Sequence, residues 1–247
     1  IHTEASDPRF QVPIAESVLQ AALSSVQYGI GVFATDGDWP EGTGYWDYAT
    51  EYFAYMIGAL HTTLGTDYGL LEQTGVSETS KYMANLHGPN GPFNYSDAHL
   101  TFLDTPQLLL FADLLGDPDI SWYRQFTYNK NKKAEPMDLI WYRQGLYGSS
   151  DPLELDALYD HPLKNNVAVF RDSWNDPGAN FVAIKGGVND YAITKSLHNN
   201  LDVGTFVLDA LGVRWAVDLG KDDKDYNVLG YFITDPKADP NRWDFYR

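Results

Sequence analysis

The stretch HNNLDVGTFVLDALGVRWAVDLG, from His198 to Gly220, decides the fold of this chain. Two runs within it, Val203 to Leu208 and Val213 to Leu219, are rich in the β-branched and apolar residues that favour strands. Ala210 to Gly212 lies between the runs and offers a tight reversal. The stretch therefore predicts a β-hairpin.

Polar residues flank both ends of the predicted hairpin. His198, Asn200 and Asp202 precede the first strand, and Asp218 lies at the end of the second. Because a hairpin folds back on itself, an imidazole and a carboxylate could meet there as metal ligands or as a proton-transfer pair. A hairpin whose polar ends have no further role is the alternative interpretation.

The first part of this stretch, His198 to Phe206, resembles a segment of the heparinase II/III-like polysaccharide lyases. That family carries His-x-His-Leu-Asp-(Ala/Val)-Gly-(Ser/Thr)-Phe, followed by a strand that ends in Asp-Leu-Gly. Asn200 stands where many members have the second His. In the family, that second His and the downstream Asp bind a divalent metal, usually zinc. The resemblance implies a zinc or calcium site at Asp218 and Asn200, although Asn is a poorer zinc ligand than imidazole.

Two further segments resemble the same family. The residues from Asp36 to Tyr48, DGDWPEGTGYWDY, are similar to its Asp-Gly-x-(Trp/Tyr)-x-Glu-Gly-x-x-Tyr-x-x-Tyr signature, and Gly91 to Asp97 is similar to a segment between the other two. In the family, the Tyr four residues after the Glu belongs to the catalytic centre, and here it is Tyr45. The three matches occur in the family's order.

The resemblance implies roles for five residues. Tyr45 and His198 are the expected catalytic residues, and Glu41, Trp46 and Tyr48 are expected to contact the substrate. Without the resemblance, Tyr45 would be interpreted as a packed helix tyrosine and Glu41 as a helix cap or a support for the loop.

Elimination from a uronic-acid polymer sets its own chemical requirements. The proton on C5, next to the carboxylate, is removed and the sugar oxygen on C4 is expelled. A neutralising group for the carboxylate, a base and an acid are therefore needed. Tyr45 can serve as base or acid, and His198 can handle the other proton. The family's neutralising Asn/His pair precedes the Tyr signature by a distance that would place it before Ile1.

The spacing of the apolar residues changes once along the chain. Helical periodicity extends from Pro13 to about Arg143, and strand-like runs follow it. The predicted helices are Ile14 to Leu23, Tyr45 to Leu64, Tyr68 to His87 with a break near Gly75, Thr105 to Leu115, Ser121 to Phe126, and Pro136 to Arg143. The predicted strands outside the hairpin are Val167 to Phe170, Phe181 to Ile184, and Tyr231 to Thr234.

This order of elements predicts a multidomain α+β fold. The resemblance implies an incomplete α/α toroid of helical hairpins followed by an antiparallel β-sandwich, with the active site between them. We expect residues 1–150 to be the C-terminal part of the toroid, 151–165 a linker, and 166–247 the N-terminal part of the sandwich. The resemblance also implies that this chain is an internal piece of a longer polypeptide, with further residues at both ends.

Composition limits the functional classes. The formal net charge is −17, which argues against nucleic acid as a partner, because phosphate binding needs a basic surface. Five basic residues cluster between 124 and 143, and we interpret them as a solvated face: Arg124, Lys130, Lys132, Lys133 and Arg143. The chain has no cysteine, which fits the cytoplasm or a bacterial periplasm. No apolar run is long enough to span a membrane.

We predict a secreted or periplasmic bacterial polysaccharide lyase that cleaves an acidic glycan, with any signal peptide already removed. Two alternatives remain. One is a non-catalytic glycan-binding protein on the same scaffold, and the other is a glycoside hydrolase with Glu41 and an Asp as paired carboxylates. Elimination leaves an unsaturated uronate and hydrolysis does not, so the products distinguish a lyase from a glycoside hydrolase.

Overall fold

The computed structural model describes residues 14–146, 148, 154–160, 165–189, 198 and 200–220. A helical part is followed by an antiparallel sheet, so the fold is α+β. The helices are α1 (Ile14–Ile30), α2 (Gly42–Leu64), α3 (Thr79–Asn85), α4 (Gln107–Leu115), α5 (Pro118–Asn131) and α6 (Pro136–Trp141). Two short strands, β1 (His87–Gly88) and β2 (Gly91–Pro92), pair between α3 and α4.

Local signals explain where the helices begin and end. Gly65 adopts the left-handed conformation that ends α2, as its position in the sequence predicts. The side chain of Asp117 accepts hydrogen bonds from two backbone N–H groups at the start of α5, and Pro118 occupies the first turn. α4 packs against both α5 and α6, and all three helices contribute apolar side chains to the core. An α/α toroid remains a prediction.

The predicted helix from Tyr68 to His87 was wrong over its first half. The carboxylate of Asp67 accepts hydrogen bonds from the N–H groups of Gly69 and Leu71 and folds this segment into turns. Gly75 has φ +82°, and a Cβ there would lie 1.8 Å from the carbonyl oxygen of Phe33. This close approach requires glycine and excludes a continuous helix.

The sheet consists of five strands in sequential order, all antiparallel. They are β3 (Ala157–Tyr159), β4 (Val167–Arg171), β5 (Phe181–Lys185), β6 (Phe206–Ala210) and β7 (Val213–Ala216). The predicted hairpin is confirmed as β6 and β7, with Leu211 and Gly212 at positive φ in its turn. β3 lies inside the segment predicted to be a linker. The predicted strand Tyr231 to Thr234 lies outside the described residues.

The two faces of the sheet differ in burial. One face contributes Val167, Val169, Phe181, Ala183 and Val207 to the same hydrophobic core as the helices. The other face exposes large apolar side chains, which are Leu158, Phe170, Ile184, Phe206 and Trp215. A second sheet packed on this face would complete the predicted β-sandwich, which remains a prediction.

Arg171, at the end of β4, joins the sheet to the helical part. Its guanidinium donates hydrogen bonds to the carbonyl oxygens of His87 at 2.9 Å and Asn85 at 2.5 Å. It also lies 3.5 Å from the ring centre of Trp174. Burial lowers the pKa of Arg171 to about 9. The contacts of this buried cation bind β4 to the end of α3.

We expect Arg171→Met to destabilise the protein by about 2–4 kcal/mol, because it leaves two buried carbonyl groups without their donors. The melting temperature should fall by roughly 2–4 °C for each kcal/mol lost. Leu158→Met is the matched control, since Leu158 is exposed on the same sheet. Equal melting temperatures for the Arg171 variant and the control would show that this guanidinium does not hold the two parts together.

The predicted solvated basic face needs correction at one residue. Arg124 is almost fully buried in α5, and its guanidinium forms a two-pronged hydrogen bond with Asp138 at 2.8 and 2.6 Å. Spacing along the sequence cannot reveal this buried pair, because Asp138 lies on α6 and Arg124 on α5. Among the described residues, no helix combines the length and apolar character needed to cross a bilayer.

Candidate active site

Tyr45 and His198 come together at the junction of helices and sheet. Their rings stack with centres 3.7 Å apart and planes inclined by 20°. Tyr45 lies in the first turn of α2, and His198 precedes the β6–β7 hairpin. The structure therefore brings together the two residues that the sequence predicted to be catalytic, although they are 153 positions apart.

Gly42 sets the position of Tyr45. It begins α2 with φ +82°, and a Cβ there would lie 2.6 Å from the carbonyl oxygen of Tyr95. Only glycine combines this conformation with so close an approach. The start of α2 is thereby pressed against the segment from Tyr95 to Ala98, which carries the next member of the site.

That member is Asp97, a nearly fully buried residue. Its Oδ2 lies 2.9 Å from Nδ1 of His198. A carboxylate accepts, so Nδ1 donates, and in this tautomer Nε2 is the ring nitrogen without a hydrogen. The sequence interpretation had not given Asp97 this role, although it lies in the third segment that resembles the family.

Two residues before β6 and the last residue of β5 hold the neighbouring Ser96. Asn200 donates through its amide to the Ser96 carbonyl oxygen at 2.8 Å, and Asp202 accepts from the Ser96 N–H at 2.8 Å. Lys185 lies 2.5 Å from Asp202 Oδ1 and 3.3 Å from Ser96 Oγ. Ser96 itself has φ +56°, a conformation that costs free energy and persists only where the surrounding contacts impose it. We call these four residues the Ser96 clamp.

Asp218 lies at the hairpin exit, as predicted, and is held by its own neighbours. The Thr205 hydroxyl donates to its Oδ2 at 2.5 Å, and the Gly220 N–H donates to its Oδ1 at 2.6 Å. Burial raises the pKa of Asp218, and the two hydrogen bonds oppose that rise. Asp202 also raises this pKa and Lys185 lowers it. The hairpin ends line a cleft of about 550 Å³ that includes Asn200, Asp202 and Asp218.

The metal site predicted at Asp218 and Asn200 remains a prediction. The Asn200 amide is oriented by the Ser96 carbonyl, both Asp218 oxygens accept protein hydrogen bonds, and the ammonium of Lys185 lies against Asp202. Within the described residues, no group of three or more His, Cys, Asp or Glu side chains is placed to hold a metal.

The three predicted substrate contacts have different environments. Trp46 is fully buried and its indole N–H donates to Thr79 Oγ1 at 2.7 Å, so it belongs to the core and has no surface for a substrate. Glu41 occupies the N-cap position of α2, but its side chain makes no capping hydrogen bond. Tyr48 is 61% exposed, one helical turn beyond Tyr45, and its ring contacts that of Tyr52.

A buried polar network lies behind the site. The Asn165 amide donates to Asp38 Oδ2 at 3.2 Å and to the Tyr95 hydroxyl at 3.3 Å, and the Tyr95 hydroxyl contacts that of Tyr82. Burial raises the pKa of Asp38 to about 8, the Asn165 hydrogen bond opposes this, and the nearby Asp36 and Asp160 carboxylates add to it. Sequence spacing could not reveal this network, whose members come from four separate segments.

Asp38→Asn should change how stability depends on pH. The carboxyl has a pKa of about 8 when folded and an ordinary value of 3.8 when exposed in the unfolded chain. The unfolded state therefore loses its proton first, and stability from this group falls as pH rises from about 4 to about 8. We expect the melting temperature of the variant to rise relative to that of wild type as the pH increases over this range. A difference that is constant with pH would contradict the expectation.

Among the comparisons with known proteins, the comparison with solved structures gives matches. No family model matches the chain, and no curated protein does. Among solved structures, the heparan sulfate lyase HepC from Pedobacter heparinus has a TM-score of 0.56 and 15% identity, over 85% of this chain and 30% of that chain. The chain thus spans less than a third of that protein's length. At this identity the similarity shows an α+β fold of the polysaccharide-lyase kind, and the fold alone.

Proposed function

We propose that this chain forms part of a polysaccharide lyase that cleaves a uronic-acid-containing glycan by β-elimination. The observation that carries the proposal is the stack of Tyr45 on His198, with Asp97 bonded to the imidazole. Two side chains that can each carry a proton thus lie in contact. β-Elimination requires one group to remove a proton and another to supply one.

Each residue has a distinct task in this proposal. The hydroxyl of Tyr45 exchanges a proton with the sugar, as base towards C5 or as acid towards the oxygen leaving C4. Nε2 of His198 exchanges the other proton. Asp97 touches neither carbon nor leaving oxygen and is a positioning residue, since its carboxylate sets the tautomer and orientation of the imidazole.

Substrate binding is proposed for Tyr48 and Glu41. The exposed ring of Tyr48 lies one turn along α2 from Tyr45, where the apolar face of a pyranose can pack against it. Glu41 lies at the start of the same helix and is suited to accept a hydrogen bond from a sugar hydroxyl. The fold similarity to a heparan sulfate lyase supports a glycosaminoglycan-like substrate. We also propose a secreted or periplasmic location for this protein.

The contacts do not favour a glycoside hydrolase. That reaction needs two carboxyl groups that face the same glycosidic bond from roughly 5 to 9.5 Å apart. Asp38, the nearest signature carboxyl in sequence to Glu41, is fully buried and bonded to Asn165. Asp38 has no exposed surface that a sugar could contact. Glu41 and Asp38 therefore do not form the carboxyl pair that a glycoside hydrolase requires.

The test uses the full-length protein and a panel of uronate polysaccharides, including heparan sulfate and alginate. Ultraviolet absorbance of new C4–C5 double bonds is followed, and the products are weighed by mass spectrometry. We expect absorbance to grow and each new non-reducing end to be lighter than that of a hydrolytic product by one water. Cleavage without absorbance would identify a hydrolase, and binding without cleavage would identify a glycan-binding protein. A polysaccharide without uronate is the control.

A further inference from the structure

Another cavity of the protein lies among the helices and shares no lining residue with the cleft at the hairpin ends. It has a volume of about 330 Å³, within the range of sites that bind small ligands. Leu109 of α4, Tyr128 of α5 and Leu139 of α6 line it, together with Tyr142 just beyond α6. None of the residues proposed for proton transfer or sugar contact belongs to this lining, so the candidate active site does not account for the cavity.

Two tyrosine rings on the wall of this cavity are accessible to a ligand. Tyr128 is 44% exposed and Tyr142 is 41% exposed, whereas Leu109 is buried in the core. A tyrosine side chain combines an apolar ring with a hydroxyl group that forms hydrogen bonds. Such a ring suits a pyranose, whose apolar face packs against it while the sugar hydroxyl groups stay hydrated. The wall therefore favours a sugar over a purely apolar ligand.

The polar side chains of the lining are of two kinds. Arg124 and Asp138 satisfy each other through hydrogen bonds of 2.8 and 2.6 Å, so neither charge is left for a ligand. Gln125 is partly exposed and Glu135 is exposed, and both can form hydrogen bonds with sugar hydroxyl groups. The lining thus has the few polar groups that orient a ligand in a mainly apolar site.

The segment that forms most of this cavity is basic in a strongly acidic protein. From Arg124 to Arg143, five basic and two acidic residues give a formal charge of +3, whereas the whole chain carries −17. The ammonium of Lys132 lies 5.9 Å from the ring centre of Tyr128 and donates a hydrogen bond to the neutral side chain of Asn129. In the part of the chain that the structure describes, Lys132 forms no ion pair. Its charge is therefore available to an anionic ligand beside Tyr128.

The neighbouring cations have other partners, which singles out Lys132. Arg143 pairs with Asp113 at 2.9 Å, and Lys133 lies 4.0 Å from an aspartate carboxylate. Lys130 donates to a backbone carbonyl oxygen of the β1–β2 turn at 3.2 Å. An anionic group at the cavity therefore meets the ammonium of Lys132 without displacing a carboxylate from it.

We propose that this cavity is an accessory site for an acidic glycan, separate from the candidate active site. One sugar ring packs against Tyr128, and the anionic group of that sugar binds the ammonium of Lys132. An acidic glycan combines rings, hydroxyl groups and negative charge, and its choice as the ligand rests on the proposed lyase function. The exposed tyrosine and the charge of Lys132 do not depend on that function.

Two binding sites on one protein affect long and short glycans differently. A long chain held at one site binds the other as an intramolecular step, which tightens binding without any new chemistry. A short oligosaccharide occupies one site at a time and gains nothing from the second. Loss of the accessory site should therefore raise KM for the polymer and leave kcat unchanged, because the reacting atoms are not touched.

The first measurement counts the binding sites of the full-length protein. All variants carry Tyr45→Phe, so that nothing is cleaved during a calorimetric titration with tetrasaccharides of heparan sulfate or alginate. We expect the addition of Tyr128→Ala and Lys132→Met to reduce the number of bound molecules by one per chain. An equal number in the two proteins, with both tetrasaccharides, would overturn the proposal. The count needs no catalytic activity.

Tyr28→Ala combined with Lys81→Met is the matched control, because it removes the same two kinds of surface side chain. Lys81 lies 3.9 Å from Asp117 at the start of α5, and Tyr128 lies eleven residues, or about 16 Å, further along that helix. We expect the control to bind as many tetrasaccharides as Tyr45→Phe alone. Loss of one molecule in the control as well would count against the cavity, since any lost ring and charge would then have the same effect.

The second measurement applies to any polysaccharide that the lyase assay identifies. With Tyr45 intact, Tyr128→Ala combined with Lys132→Met should raise KM for the long polymer about tenfold and leave kcat nearly unchanged. KM for a tetrasaccharide of the same polymer should not change. A wild-type KM for the polymer would contradict the proposal, and an equal rise for both lengths would place the two residues in the catalytic site instead. If no polysaccharide is cleaved, the lyase proposal fails, while the titration still decides the accessory site.

Discussion

Tyr45→Phe is expected to lower the rate of uronate elimination by roughly a hundredfold to ten-thousandfold, the usual range for loss of a general acid or base. The substitution removes one oxygen and keeps the ring that stacks 3.7 Å from the imidazole of His198. The fold and the stack should therefore survive while proton transfer is lost. The measurement is kcat from the growth of unsaturated uronate absorbance, with melting temperature as a check on folding.

Tyr28→Phe is the matched control for this variant. Tyr28 is 86% exposed on α1, and the same oxygen is removed without touching the site. We expect it to retain wild-type activity. A Tyr45→Phe variant as active as Tyr28→Phe would show that the hydroxyl of Tyr45 carries no proton in the reaction. Tyr45 would then have no acid–base role in the reaction.

Asp97→Asn is expected to lower kcat by about a hundredfold or more, with KM nearly unchanged. The buried carboxylate accepts a hydrogen bond from Nδ1 of His198 at 2.9 Å. An amide of the same shape can present an N–H there and favour the other tautomer, in which Nδ1 is the acceptor and Nε2 carries the hydrogen. The imidazole would then remain in place with its proton on the wrong nitrogen.

The kcat and KM values of Asp97→Asn are measured beside those of Asp113→Asn. Asp113 forms an ion pair with Arg143 near the surface, so its neutralisation changes a charge without reaching the site. Comparable kcat values for the two variants would contradict a positioning role for Asp97. A fall in kcat accompanied by a large loss of melting temperature would instead show that Asp97 supports the turn and not the tautomer of His198.

The local structure was largely predictable from sequence. The β6–β7 hairpin follows from two β-rich runs around a Leu-Gly turn, and the end of α2 follows from Gly65. These predictions succeed because turn and cap residues act within a few positions along the chain. The prediction failed between Tyr68 and Gly75, where the apolar spacing indicated a helix but the Asp67 carboxylate captured the backbone N–H groups that a helix would use.

The sequence by itself determined which residues are candidates for the site. Tyr45, His198 and Asp218 stand out through motifs that can be read within a few residues of each. Only the tertiary structure decided what they contact: the stack of Tyr45 on His198, the role of Asp97, the burial of Trp46 and the ammonium of Lys185 beside Asp202. These contacts join residues from separate helices, turns and strands, and their geometry depends on how the sheet packs against the helices, which no local pattern specifies.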